Sequence, residues 1–256
     1  MSLVIEQRGP VGWLRLDRAD AMNALNAGIL RPAIDQLHGW GGDASVRVVA
    51  ITGTGRAFCA GADLREILQP AAADGKDLLD LGTQFYAALR NFRKPLIGAV
   101  NGVALAGGLE ILLACDLVIA AESARFGDAH ANYAVLPGGG STAVLSRRLP
   151  PNVAKYLLLT GETLTALQLH SWGFVNEVVP DADLVARVQQ LGEALAAKSP
   201  LVLARLKALA NAALDRSVAD ALLFEQLESR AHMHSHDFRE GLDAFASGRQ
   251  PKFEGR

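Results

Sequence analysis

The run VNGVALAGGLEILLACDLVIAA, residues 100–121, constrains the fold of this chain more than any other stretch. It is almost wholly apolar, yet Asn101, Glu110 and Asp116 interrupt it, as do Gly102, Gly107 and Gly108. A membrane helix needs about 20 apolar residues with few or no charges, so a membrane span is a poor reading. The pattern instead predicts a buried strand at PLIGAV, a glycine-rich turn, a short helix at GGLEILLAC and a second strand at DLVIAA. A carboxylate inside such a run costs free energy unless something pairs with it or uses it. Glu110 is therefore a candidate functional residue.

The chain has 256 residues, half of them hydrophobic, which suits one large domain or a domain with an appendage. A net charge of -2 argues against a nucleic-acid partner, because phosphate binding needs clustered Lys and Arg. The two cysteines, Cys59 and Cys115, are too few for a disulfide framework and read as small buried residues in a reducing compartment. The start, MSLVIEQRGP, has no basic-then-apolar leader pattern. A soluble cytoplasmic protein with no membrane or nucleic-acid partner is expected.

Strand-like and helical segments alternate through the first part. LVIEQ and VGWLRLD flank a Gly9-Pro10 turn, and NALNAGILRPAIDQLHGW is helical by period with Asn26 as its N-cap. Two short strands often precede one helix, which suggests repeated ββα turns rather than plain βαβ winding. Beyond about residue 140 the segments are mostly helical, with FVNEVV as a strand-like exception. The expected division is a ββα core over residues 1–195 and a helical oligomerisation region over 196–256.

Several motifs fail. NGVALAGG lacks the G-x-G-x-x-G spacing of a dinucleotide loop, and neither a phosphate-binding P-loop nor a G-x-S-x-G nucleophile elbow occurs. HMHSH places His232 and His236 four apart, but no third ligand lies at a persuasive spacing, so no metal is expected. Two stretches do carry a signal. AFCAGADL and GVALAGGLE both run from small residues into a helix start, and Asp63 suits an N-cap. Small side chains expose the backbone N–H groups of such a start, and these stabilise negative charge on oxygen. Two facing copies would form an oxyanion hole.

These stretches, in their order along the chain, resemble the crotonase, or enoyl-CoA hydratase/isomerase, superfamily. The resemblance covers nearly the whole chain, from RADAMNALN through GTGRAFCAGADL, the 94–127 region and LPGGGST to DFREGLDAFASGRQPKF. It departs at Ala19, where the family carries proline. The resemblance implies an α/β spiral of ββα units with a helical C-terminal trimerisation region, assembled as a homotrimer or a dimer of trimers. It also implies an acyl-CoA thioester substrate, with coenzyme A as part of the substrate and no separate cofactor. By motif position the thioester oxygen would be held by the N–H groups of Ala62 and Gly107. Ala60, Gly61, Ala62, Asp63 and Leu64 would line the bound CoA. Lys252 and Phe253 match tail positions that reach the nucleotide from a neighbouring subunit.

Hydratases of this family use two glutamates. Glu110 matches the first. The second belongs to a motif like F-G-x-P-E, and here the sequence is FGDAHA, which puts His130 in its place with Asp128 two residues away. Gly138, in LPGGG, is expected to help hold a water. Glu110 and His130 together could hydrate a 2-enoyl thioester, since histidine donates or accepts protons near neutral pH. Glu110 alone suits enoyl-CoA isomerisation. A third possibility is an acyl-CoA-binding homologue with little turnover.

Overall fold

Apolar runs buried on both faces build a large sheet, and the helices that cover it position the site. The computed structural model describes residues 2–256. β1 (Leu3–Arg8) and β2 (Val11–Leu16) form the expected hairpin, with Gly9 at a φ of 57° in the turn. α1 (Ala27–Gly42) follows, and Asn26 caps it by accepting the Ile29 N–H at 3.1 Å. The next unit is β3 (Val48–Gly53), β4 (Ala57–Cys59), the single turn α2 (Leu64–Ile67) and α3 (Leu78–Arg90), which opens on an Asp77/Asp80 capping box. Then come β5 (Leu96–Val100), β6 (Val103–Leu105) and α4 (Gly107–Ala114). β7 (Leu117–Ala121) and β8 (Arg125–Gly127) lead through a 3-10 turn to α5 (Ser141–Arg148) and α6 (Pro151–Thr160). β9 (Thr163–Thr165), α7 (Ala166–Ser171), β10 (Glu177–Val179) and α8 (Leu184–Ala196) complete the winding.

A six-stranded sheet is ordered β1-β2-β3-β5-β7-β10 and a four-stranded sheet β4-β6-β8-β9; in the three middle pairs, β3/β4, β5/β6 and β7/β8, the first strand joins the large sheet and the second the small one. Only the β1/β2 and β8/β9 pairs are antiparallel. The period of two along the large sheet sorts its side chains. Val49 and Ile51 face the main core with α1, α3 and α4, whereas Val48, Ala50, Ile97, Ala99 and Ile119 face Leu184 and Val188 of α8. This double cover explains why β3, β5 and most of β7 read as unbroken apolar runs. FVNEVV contributes less strand than expected: only Glu177–Val179 pairs, because Phe174 and Val175 are buried in the core ahead of it.

α9 (Pro200–Ala213), α10 (Val218–His232) and α11 (His236–Ala246) follow. α9 and α10 bury no residue fully, and Leu206, Leu222, Leu223 and Leu227 are exposed. No helix among the described residues is long and apolar enough to cross a membrane.

Candidate active site

One half of the site is built where β4 ends. Buried Asn23 donates to the carbonyls of Thr54 (2.9 Å) and Ala57 (2.7 Å), fixing the approach. Leu25 then pairs with the turn as a single parallel bridge: its N–H donates to Gly61 O, and its carbonyl accepts from Asp63 N, both at 2.8 Å. Arg18 clasps the turn from outside, donating to Ala24 O at 2.7 Å and to Asp63 Oδ2 at 2.9 Å. Burial works against the Asp63 carboxylate, but the bonds from Arg18, Arg65 and Glu66 outweigh it and hold its pKa below the ordinary range. Asp63 caps α2 as expected. Among the described residues, the Ala62 N–H has no protein acceptor.

The other half is the start of α4. Ala106 sits at φ 47°, ψ -116°, a conformation that costs a non-glycine residue on the order of 1–3 kcal/mol. Its N–H is spent on Gly127 O at 3.1 Å, and the next N–H, that of Gly107, is left free of protein acceptors among the described residues. The two halves are pressed together. A Cβ on Gly61 would lie 2.9 Å from the Ala106 Cβ and 3.4 Å from Gly107 N, and one on Gly108 would lie 2.2 Å from Cys59 O. The small residues of both stretches are needed for this approach, which brings two unspent N–H groups to one place.

Glu110 lies one helical turn beyond Gly107 and is only 3% exposed. Its Oε1 accepts from Gly139 N at 2.7 Å and Ser141 N at 3.2 Å. These N–H groups belong to the turn that opens α5, so a helix N-terminus holds the carboxylate. Gly138 lines the cavity, but Gly139 makes the bond to Glu110. Arg90 donates to Gly139 O at 2.8 Å and ties this turn to α3. Tyr86 donates to Gly107 O at 3.1 Å, and burial, followed by the charge of Glu110, raises its pKa well above the ordinary value. It stays a neutral donor beside the carboxylate.

His130 opens the 3-10 turn after β8, with Nδ1 2.9 Å from Asp128 Oδ1. Burial pulls its pKa down, but the hydrogen bond and charge of Asp128, with the charge of Glu110, win and raise it. Glu110, His130, Ala62 and Gly107 all line one cavity of about 700 Å³. Ala60, Asp63 and Leu64 line it too, and Leu30, Ile67, Leu78 and Leu136 supply apolar wall. Gly61 does not: it is buried beneath the turn, at φ 106°, where its role is the turn itself. Lys252 and Phe253 also lie outside the cavity of their own chain. The Lys252 N–H donates to Glu240, and Phe253 O accepts from Arg47 at 3.3 Å. His232 bonds Ser235 at 3.2 Å, and no group of three metal-ligating side chains occurs among the described residues.

The chain matches the family model described as Enoyl-CoA hydratase/isomerase over residues 6–256. It belongs to that family. It is 36% identical over 254 residues to the 2,3-dehydroadipyl-CoA hydratase of Escherichia coli, covering 99% of each chain. It is 32% identical to the crotonyl-CoA hydratase of Syntrophomonas wolfei, covering 98% of this chain and 97% of that one. The crystal structure of an enoyl-CoA hydratase from Bacillus anthracis superposes with a TM-score of 0.93 at 31% identity, each chain fully covered. The crotonase fold expected from the resemblance is thus the fold of this family member. Tyr86, Arg90, Gly139 and Ser141 were not found from the sequence. The second glycine of LPGGG was the only local hint, since nothing in a helical period shows which residue of α3 faces a site.

Proposed function

We propose that the protein is an enoyl-CoA hydratase-type hydro-lyase. The observation that carries this reading is the pairing, in one cavity, of two unspent backbone N–H groups with a fixed carboxylate and a histidine. The thioester oxygen is held by Ala62 and Gly107, where each oxyanion donor is worth roughly 2.7–4 kcal/mol in the transition state. Glu110 takes a proton from water as its oxygen attacks C3. The C2=C3 electrons pass to the thioester as an enolate, and His130 protonates C2. Atoms balance: water's hydroxyl goes to C3 and one proton to C2, and Glu110 and His130 return to their starting states by proton exchange with solvent. The only coenzyme required is the coenzyme A of the substrate, and no metal takes part.

Ala60, Asp63, Leu64 and Gly138 line the path proposed for the CoA arm. Lys252 and Phe253 belong, in this reading, to a neighbouring subunit's site. The proposed assembly is a homotrimer or a dimer of trimers, built through residues 196–256, and the exposed leucines of α9 and α10 support it. The core proposed for residues 1–195 ends with α8, which packs on the large sheet. The proposed place of action is the cytoplasm, and two free buried cysteines fit it.

The test is loss of enone absorbance on adding purified protein to crotonyl-CoA, followed by a panel of acyl-CoA thioesters scanned by mass spectrometry. Hydration should depend on both Glu110 and His130. Tight thioester binding without turnover refutes the reading and leaves the binding-only alternative. Conversion of 3-enoyl to 2-enoyl thioesters that survives His130→Ala but not Glu110→Gln would establish the isomerase alternative instead.

A further inference from the structure

Where the family motif carries its second glutamate, this chain has a different device, and it extends beyond His130. β8 ends at Gly127, and Asp128 follows it into the interior, where it is 1% exposed. Ala129 then takes the left-handed conformation, φ 59°, ψ -6°. This conformation is unfavourable for a side chain bearing a Cβ, so the surroundings must over-determine it. Its effect is to fold residue 130 back over residue 128. Asp128 Oδ1 lies 2.9 Å from His130 Nδ1 and also accepts the His130 backbone N–H at 3.4 Å. Asp128 Oδ2 is buried without a partner among the described residues. A buried carboxylate so placed needs a cation or a donor close by, and among the described residues His130 is its only ion-pair partner. The other ring nitrogen, Nε2, makes no bond among the described residues and is not a sealed-off polar atom, while His130 lines the cavity that holds Glu110.

We propose that Asp128 is a positioning residue of this site: it holds the His130 ring by Nδ1–H, so that Nε2 is the atom presented to the substrate. The inference rests on the hydratase reading for its kinetic consequences, but not for its structural ones. Asp128 touches no reacting atom. It fixes the tautomer and keeps the imidazolium charged, which is the state a proton donor to C2 needs. The charged groups that act on the ring are Asp128 on its own segment and Glu110 on α4, and Arg18, Asp20, Asp63, Arg65 and Tyr86 line the same cavity. Tyr133 lies on the same turn, and α6, packed against that turn, carries Lys155 and Tyr156, both exposed. Of these, Asp128 and Glu110 are the groups that raise the affinity of the ring for its proton, against the opposing pull of burial. The charged ring therefore persists to higher pH than a free histidine, and the proton-donating form is lost as pH rises through that raised value.

Two measurements test this on the full-length protein. The first is a nitrogen-15 NMR titration of the ligand-free protein, with the His130 signal identified by its absence in His130→Gln. The neutral ring should carry its proton on Nδ1, and the titration midpoint should fall to lower pH in Asp128→Asn and stay near the wild-type value in Asp128→Glu. A neutral ring protonated on Nε2 in the wild type, or an unchanged midpoint in Asp128→Asn, overturns the proposal. The wild-type arm needs no Asp128 variant to fold.

The second measurement is the pH profile of hydration. Asp128→Asn should lower kcat about 10–100-fold, the range for the hydrogen-bond partners behind metal-bound histidines, which orient a ring in the same way, with KM within about twofold. Its alkaline limb should move to lower pH. In a His130→Gln background the same change should add little, because the two residues act as a unit. A role in folding alone would lower stability and leave the limb in place, and that result also overturns the proposal. If the wild type hydrates no thioester, the hydratase reading fails while the NMR arm still decides the Asp128–His130 pairing.

Discussion

Gly139→Ala isolates the support of Glu110 from its chemistry. Gly139 lies outside the left-handed region, so an alanine there carries no backbone penalty. What it meets is space already taken. The new Cβ would lie 2.7 Å from Glu110 Oε2, 2.5 Å from Tyr86 Cε2 and 2.7 Å from Tyr86 Cδ2. Ordinary contact begins near 3.4 Å, so carboxylate, ring or turn must move by close to an ångström. Movement of the turn also disturbs the 2.7 Å bond from Gly139 N to Oε1, and a hydrogen bond to a charged group is worth about 1.5–3 kcal/mol. Overpacking of this kind costs about 1–3 kcal/mol of stability, or a Tm loss of very roughly 2–12 °C for a chain this size. The catalytic cost is larger in proportion, since a misplacement of about 1 Å can lower the rate about 100-fold. The assay is steady-state hydration of crotonyl-CoA together with a thermal melt. Expected are a kcat down about 100-fold, KM changed by less than about threefold, and a folded protein. Gly138→Ala is the stability control, because its Cβ would meet nothing within 4 Å; it should melt with the wild type. A Gly139→Ala protein with wild-type kcat would show that the position of Glu110 is not set by this turn and would refute the reasoning.

Two more outcomes follow from the same geometry. Glu110→Gln keeps the shape but removes the base, so turnover should fall by at least about 100-fold while acyl-CoA binding, measured by calorimetry, persists; lost binding would make Glu110 structural. Asp237, 2% exposed, accepts from the N–H groups of Glu254 and Gly255 and from Ser199. Asp237→Ala strands these donors at a cost of about 2–4 kcal/mol and should free the tail that holds Lys252 and Phe253, read as faster proteolysis after residue 249. An unchanged melt and digestion pattern would show that the tail is held elsewhere.

Much of this protein is legible in its sequence, and for local reasons. Apolar runs gave β5 and β7, the region beyond about residue 140 read as mostly helical, and a helical period with Asn26 at its start gave α1. The small residues before Asp63 and Glu110 announced two close backbone turns, and Glu110 stood out as a charge in an apolar run. These features depend on neighbours within a helical turn or along one strand. The four-stranded sheet was not readable strand by strand, since each of its strands has three residues, too few for a period, and arises from pairing with distant strands. The supports of Glu110 lie 29 and 31 residues beyond it, and Tyr86 reaches Gly107 across 21. Asp128 and His130 are visible as a pair of letters, but a chain passing through Asp-Ala-His in an extended conformation would point both side chains the same way without closing the hydrogen bond. The sequence by itself determined that a carboxylate and two bare turns exist and that helices and strands alternate around them. Only the tertiary structure decided that they share one cavity and that Ala129 turns back to lock His130, because those contacts are made by packing between segments rather than by any preference within them.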